Sequence, residues 1–109
     1  MYRRNEEARR REDARRAGEV KARLPEVAQL LRSDYGAREV GYFGSLRNNA
    51  LRAESDVDLF VDQICPGVYF EALDRITEIL GREVDLVELA SAPPSLSARI
   101  REDGVPIDG

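Results

Sequence analysis

Two short apolar runs within Val40–Asp62 constrain the fold more than any other part of the chain. The first run ends in Gly44-Ser45, and the second carries Asp56 and Asp58 after ten intervening residues. Side chains two positions apart on a β-strand point to the same face, so the two carboxylates should project side by side. Like charges this close are costly unless a cation lies between them. The pattern therefore predicts a site for Mg²⁺, which takes carboxylate, phosphate and water oxygens as ligands.

The Gly-Ser pair adds the features of a phosphate site. Gly44 has no Cβ, so the backbone there can approach a ligand closely. Ser45 suits the N-cap of a short helix predicted over Leu46–Ala50, and the free N–H groups at a helix N-terminus attract anions. A Gly-Ser turn or an Asp-x-Asp pair alone is common at strand ends. The combination predicts a nucleotide–metal site, and the absence of both glycine-rich nucleotide-binding motifs excludes P-loop and Rossmann binding.

These residues carry a family resemblance. Gly44-Ser45, ten residues and then Asp56-x-Asp58 resembles the signature of the DNA polymerase beta-type nucleotidyltransferase superfamily. The short chain looks most similar to the minimal nucleotidyltransferase branch, the antitoxin partners of HEPN toxins, and the resemblance covers residues 24–107. In that superfamily a third carboxylate on a later strand completes the metal site. The matching residue is Asp85, with Glu83 on the same strand as the substitute.

The resemblance implies transfer of AMP from ATP to a tyrosine hydroxyl of the partner HEPN toxin. Two Mg²⁺ ions about 3.5–4 Å apart would clamp an in-line displacement at the α-phosphate. Asp56 and Asp58 would hold both ions. Asp85 would hold one ion and accept the proton of the attacking hydroxyl.

The phosphate contacts implied by the resemblance lie in the turn and the spacer. Gly44 and Ser45 would grip the β- and γ-phosphates of the leaving pyrophosphate. Arg47 and Arg52 are candidates for further phosphate contacts, with ordinary surface arginines as the alternative.

The chain departs from the common family pattern at two positions. Many members read G-S-R-A-R-G after the strand, whereas here Leu46 follows the serine and Asn49 stands where the glycine usually is. This departure leaves open a second hypothesis, an antitoxin that neutralises its partner by binding alone. Transfer to a small molecule such as an aminoglycoside is disfavoured, because little of the chain remains to form an acceptor-binding domain.

Composition limits the chemistry. The chain contains no histidine, so Ser-His, Cys-His and His-ligated metal chemistry are excluded, and its single Cys65 cannot form an internal disulfide. Neither a membrane span nor a secretory leader is visible, which predicts a cytoplasmic protein.

Charge divides the chain. Residues 1–23 contain nine basic and five acidic side chains, about +4, and since the total is −4, residues 24–109 carry −8. The chain is therefore predicted to consist of an Arg/Glu-rich helical arm over 1–23 and a nucleotidyltransferase domain over 24–109. The acidic domain argues against direct nucleic-acid binding.

Apolar spacing predicts the remaining elements. A core-facing helix around Leu24–Leu31 is expected either to be kinked by Pro25 or to begin near Leu24, with Pro25 in its first turn. The other predicted elements are strands Glu39–Phe43, Asp56–Val61 and Glu83–Leu89, helices Tyr69–Leu80 and Ser95–Glu102, and a short strand or contact at Gly104–Ile107. The order α-β-(α)-β-α-β-α predicts an α/β (α+β) two-layer sandwich with a small mixed sheet. Asp62 and Glu88 are expected to face solvent.

Overall fold

A computed structural model describes residues 2–108, with side chains described from residue 5 onward. Three α-helices, a short 3-10 helix and four β-strands follow one another along the chain. In order they are α1 Tyr2–Tyr35, β1 Val40–Tyr42, the 3-10 helix Gly44–Leu46, β2 Val57–Val61, α2 Tyr69–Leu80, β3 Val84–Glu88, α3 Pro94–Asp103 and β4 Val105–Pro106. This order confirms the predicted α+β fold.

The strands form one mixed sheet in the order β3-β2-β1-β4. β1 is antiparallel to both β2 and β4, whereas β2 and β3 are parallel. Parallel neighbours need a crossover connection, and α2 supplies it between β2 and β3. The parallel register places Asp58 directly beside Asp85.

The two faces of the sheet are covered unequally. Val57, Leu59 and Val61 alternate along β2 and are completely buried in the main core, which the apolar faces of α1 and α2 complete. On the opposite face Phe60 forms a smaller cluster with Leu89 and Ile100 of α3. Asp58 shares this second face with Phe60, so the carboxylate lies on the less covered side of the sheet.

Helix α1 runs without interruption through Pro25. The expectation that a helix begins near Leu24 is therefore wrong. Buried residues recur on both sides of the proline, from Ala17 to Tyr35, and this packing holds the helix together although proline removes one backbone hydrogen bond. Within residues 2–108, no helix is both long and apolar enough to cross a membrane. The functional division of the chain at residue 23 stays a prediction.

We predict that Gly41→Ala destabilises the protein. A Cβ at Gly41 would collide with the ring of Phe60 and lie 2.6 Å from the carbonyl oxygen of Val105. Overpacking of this kind costs about 1–3 kcal/mol. Urea denaturation should therefore give a lower free energy of unfolding.

The matched control is Gly18→Ala. Gly18 lies in α1, and a Cβ there meets nothing within 4 Å. The substitution should stabilise the protein by up to about 1 kcal/mol, since alanine is the better helix former. Equal effects from the two substitutions would contradict this account of the β1–β2 packing.

Candidate active site

Three aspartates meet near the start of β2 and β3. Asp58 on β2 and Asp85 on β3 are Cα partners in the parallel ladder, and Asp56 precedes β2 by one residue. Asp58 is half-buried, whereas Asp56 and Asp85 are exposed. The pKa of Asp58 is raised, first by burial and then by the negative charges of Asp85 and Asp56. The structure thus brings the three carboxylates close enough to repel one another.

The donor set suits a hard divalent cation. No ion pair or hydrogen bond among the described residues involves these three carboxylates. Carboxylate oxygens without an ion-pair partner are hard ligands of the kind that Mg²⁺ takes. Over residues 2–108, however, no group of three His, Cys, Asp or Glu side chains is arranged to hold a metal ion. The chemistry of the donors fits Mg²⁺, while their side chains do not form a closed coordination shell.

The Gly-Ser turn packs directly against this site. Gly44 has φ 69°, a left-handed conformation that favours glycine, and a Cβ there would collide with the Asp58 carboxylate. The prediction that Ser45 caps a helix over Leu46–Ala50 is wrong. Ser45 lies inside the 3-10 helix, Phe43 is the N-cap and no side chain makes the cap hydrogen bond. Because Gly44 adopts the left-handed conformation, the helical turn begins at Gly44 and not after Ser45.

The backbone of the turn still offers hydrogen-bond donors beside the carboxylates. The N–H groups of Arg47 and Asn48 are used inside the turn, donating to the carbonyls of Gly44 and Ser45 at 3.1 Å each. The N–H groups of Gly44 and Ser45 themselves donate to no acceptor among the described residues. Such free N–H groups can bind an anion next to the aspartates.

The two departures from the family pattern have different structural consequences. Leu46 is completely buried in the main core, so an apolar side chain occupies this position and supplies no charge to the site. Asn49 has φ 53° and so keeps the left-handed backbone that a glycine would adopt. Lys21 of α1 donates a 2.6 Å hydrogen bond to the Asn49 side-chain oxygen. The spacer therefore keeps its glycine-like bend without a glycine.

The two predicted phosphate arginines lie in different places. Arg47 is exposed and follows the 3-10 helix directly. Arg52 is also exposed, and it lines an open groove of about 460 Å³ together with Arg9 and Arg10 of α1. The structure brings Arg47 next to the Gly-Ser turn, and it directs Arg52 toward the N-terminal helix.

Sequence reasoning missed the contribution of α3 to the site. An open cavity of about 180 Å³ lies beside Gly44, and its lining consists of Phe43 and the α3 residues Leu96, Arg99, Ile100 and Asp103. The apolar spacing of α3 predicted a helix, but nothing in it indicated that the helix would lie beside the turn. Arg99 is thus an additional cation near the site that only the tertiary structure reveals.

Asp62, expected to face solvent, is half-buried and also accepts backbone hydrogen bonds. Its Oδ1 accepts hydrogen bonds from the backbone N–H groups of Arg38 at 2.9 Å and Glu39 at 3.1 Å. Burial alone would raise the pKa of Asp62, but these N–H groups and that of Gln63 hold it below its usual value. Glu88 is also half-buried, and it accepts a long 3.4 Å bond from the Ile64 N–H. Both side chains accept backbone hydrogen bonds at the opposite end of β2 and β3 from Asp58 and Asp85.

Comparisons with known proteins identify the family. Residues 26–108 match the family model described as Polymerase beta, Nucleotidyltransferase. The protein adenylyltransferase MntA of Thermococcus cleftensis is 30% identical over 90 residues, which cover 80% of this chain and 91% of MntA.

Solved structures show the same fold. A minimal nucleotidyltransferase structure superposes with a TM-score of 0.74 and 26% identity, covering 84% of this chain and 95% of that one. A toxin–antitoxin crystal structure with AMP-PNP gives a TM-score of 0.66 and 24% identity, covering 79% of this chain and 70% of that one.

We predict that Asp58→Asn raises the Tm at pH 7 and changes it little at pH 3. A carboxyl group whose pKa is raised on folding costs stability once the pH exceeds its unfolded pKa of about 3.9. The amide removes that cost, and at pH 3 the cost is already absent. Thermal unfolding followed by circular dichroism measures both values.

Asp62→Asn provides a control of opposite sign. Its folded pKa is lowered, so its carboxylate contributes stability above the unfolded pKa, and this stability is lost as the pH falls through the folded value. The substitution should therefore lower the Tm at pH 7. A lower Tm for Asp58→Asn at pH 7 would show that the carboxylates do not repel one another as described.

Proposed function

Because this chain belongs to the polymerase beta-type nucleotidyltransferase family, we propose that it transfers AMP from ATP to a tyrosine hydroxyl of a partner HEPN-type toxin. The modification would neutralise the toxin. The observation that carries the proposal is the pairing of Asp58 with Asp85 in the parallel ladder. Gly44 packs so closely against the Asp58 carboxylate that a side chain at position 44 would collide with it. The names of the relatives support it, since MntA is a protein adenylyltransferase and a toxin–antitoxin structure of this fold contains AMP-PNP.

The three aspartates would hold the metal. Asp56 and Asp58 would bind two Mg²⁺ ions, and Asp85 would bind one of them. When bound, Mg²⁺ neutralises negative charge on the phosphate oxygens during an in-line displacement. The half-buried position of Asp58 favours such binding, because a cation relieves the repulsion from its two neighbours.

Asp85 would also act as the general base. Its carboxylate is exposed on β3, so an acceptor hydroxyl carried by another protein can reach it. The acceptor oxygen forms a bond to the α-phosphorus, and the bond to the bridging oxygen of pyrophosphate breaks. The hydroxyl proton passes to Asp85.

The turn would hold the leaving pyrophosphate. The free N–H groups of Gly44 and Ser45 would donate to its oxygens, together with the Ser45 hydroxyl. Arg47 follows this turn and would supply positive charge from the solvent side. The Arg52 side chain lines the groove next to α1, so it would contribute only if it rotated toward the phosphates.

The partner would dock on the less covered face of the sheet. Residues 24–109 would form the catalytic domain, and the basic arm over 1–23 would contact the toxin. The remaining net charge of −8 disfavours direct binding to nucleic acid. We place the reaction in the cytoplasm, where ATP is available.

One observation favours a second candidate, neutralisation by binding alone. Leu46 is completely buried at the position where many family members carry a basic residue. The turn therefore has one cation fewer for the triphosphate, which would weaken nucleotide binding. In this alternative the carboxylate site has no catalytic role.

We predict that Asp85→Asn lowers AMP transfer at least 100-fold, because general bases contribute about 10²–10⁴-fold to a rate. Intact-mass spectrometry of the co-expressed toxin partner measures the fraction that carries AMP. Glu83→Gln is the matched control, since Glu83 is an exposed carboxylate two residues away whose backbone carbonyl, and not its side chain, makes a hydrogen bond among the described residues. Equal transfer by the two variants would contradict the role of Asp85.

A growth assay separates catalysis from occlusion. The double variant Asp56→Ala/Asp58→Ala should lose protection of cells against the co-expressed toxin, because it removes two of the three metal ligands. Co-purification with the toxin checks that the variant still binds its partner. Full protection by a variant that binds no Mg²⁺ would favour occlusion.

A further inference from the structure

Arg82, in the turn between α2 and β3, grips the backbone that leads into Asp56. Its Nη2 donates its two hydrogens to three carbonyl oxygens, those of Arg52 at 2.6 Å, Ser55 at 2.7 Å and, in a shared contact, Ala53 at 3.2 Å. Its Nε is buried without a partner. A donor buried without an acceptor is destabilising, so the position of this side chain is explained by the Nη2 bonds.

Hydrogen bonds hold the peptide groups on both sides of Asp56. The Ser55 carbonyl belongs to the peptide unit before Asp56, and Arg82 holds it. The Val57 N–H belongs to the peptide unit after Asp56, and it donates to the Glu83 carbonyl at 3.0 Å. Two soft dihedrals separate these peptide planes, so anchoring both planes fixes φ and ψ of Asp56.

Among the described residues, Asp56 is held through its flanking peptide groups and not through its side chain. It lies outside β2, so the β2–β3 ladder does not hold it, and its exposed side chain makes no hydrogen bond or ion pair among the described residues. Asp58 and Asp85, by contrast, lie in the ladder itself. Arg82 makes no ion pair with an aspartate in the described part of the chain, so it acts through the backbone.

We propose that Arg82 is a positioning residue: by clamping the carbonyls of the 52–55 segment, it holds the Asp56 carboxylate in place for a divalent cation shared with Asp58 and Asp85. The inference rests on the proposed function for the identity of the site. Arg82 itself would not touch substrate. Its role would be to keep Asp56, which lies outside the sheet, beside Asp58 and Asp85, which lie in it.

Mn²⁺ binding tests the proposal, with the free metal measured by electron paramagnetic resonance and no nucleotide present. Arg82→Gln should bind Mn²⁺ 10- to 100-fold more weakly than wild type, the loss typical when a group supporting a metal ligand is removed. Arg75→Gln is the matched control. Arg75 lies on α2 but bonds to Asp34 and Tyr35 of α1, so its substitution should leave Mn²⁺ affinity unchanged. Wild-type affinity in folded Arg82→Gln would overturn the proposal.

Arg82→Lys separates charge from hydrogen bonding. Lysine keeps the positive charge, but its shorter side chain carries a compact ammonium group in place of the planar guanidinium. Positioning through the carbonyls predicts weaker Mn²⁺ binding for this variant too, whereas wild-type affinity would show that charge alone matters and would overturn the proposal. This variant also carries the test if Arg82→Gln fails to fold.

A double-mutant cycle identifies the target of the clamp. If Arg82 acts through Asp56, then Arg82→Gln should weaken Mn²⁺ binding less than twofold in an Asp56→Asn background. The full loss in that background would show action on another group and would overturn the proposal.

Hydrogen exchange keeps this test independent of the proposed function. The Val57 amide should exchange faster in Arg82→Gln than in wild type, and at the wild-type rate in Arg75→Gln. If wild type binds no Mn²⁺, the proposed function fails and the exchange rate alone decides whether Arg82 holds this segment. Unchanged exchange at Val57 would then overturn the clamp.

Discussion

The parallel pairing of β2 with β3 is the constraint on which the candidate site depends. It places Asp58 and Asp85 side by side although 26 residues separate them in sequence. The crossover through α2 makes this pairing possible, and the burial of Val57 and Leu59 fixes its register, since a slip by one residue would turn these apolar side chains out of the core. Core packing therefore determines where the carboxylates lie. The repulsion between them is a cost that the rest of the fold must offset.

The unequal covering of the sheet explains how a small chain can have both a core and an open site. Helices α1 and α2 bury one face, so most of the apolar stabilisation is obtained there. The second face is covered by α3 only around Phe60. The aspartates near the start of β2 and β3 are consequently left at least partly exposed beside the Gly-Ser turn.

The sequence predicted the features that depend on local pattern. Period-two alternation in β2 identified the core residues and placed Asp58 on the opposite face. The Gly44-Ser45 pair indicated a turn, although its helical residues begin at Gly44 and not at Leu46. Features that depend on tertiary contacts were not predictable in this way. Examples are the continuation of α1 through Pro25, the backbone bonds of Asp62 and the place of α3 beside the turn. Arg82 is a further case, because nothing in its neighbourhood shows that its guanidinium reaches carbonyls some thirty residues earlier.

The uninterrupted α1 helix has a consequence for assembly. Thirty-four residues at 1.5 Å each give a rod of about 51 Å, and the longest dimension of the molecule is 52 Å. The helix packs in the core from Ala17 onward, and this packing sets its rotation about its own axis relative to the sheet. One residue inserted before Ala17 would rotate the basic surface by about 100° around the helix axis. The direction in which that surface faces is thus tied to the direction in which the aspartates point.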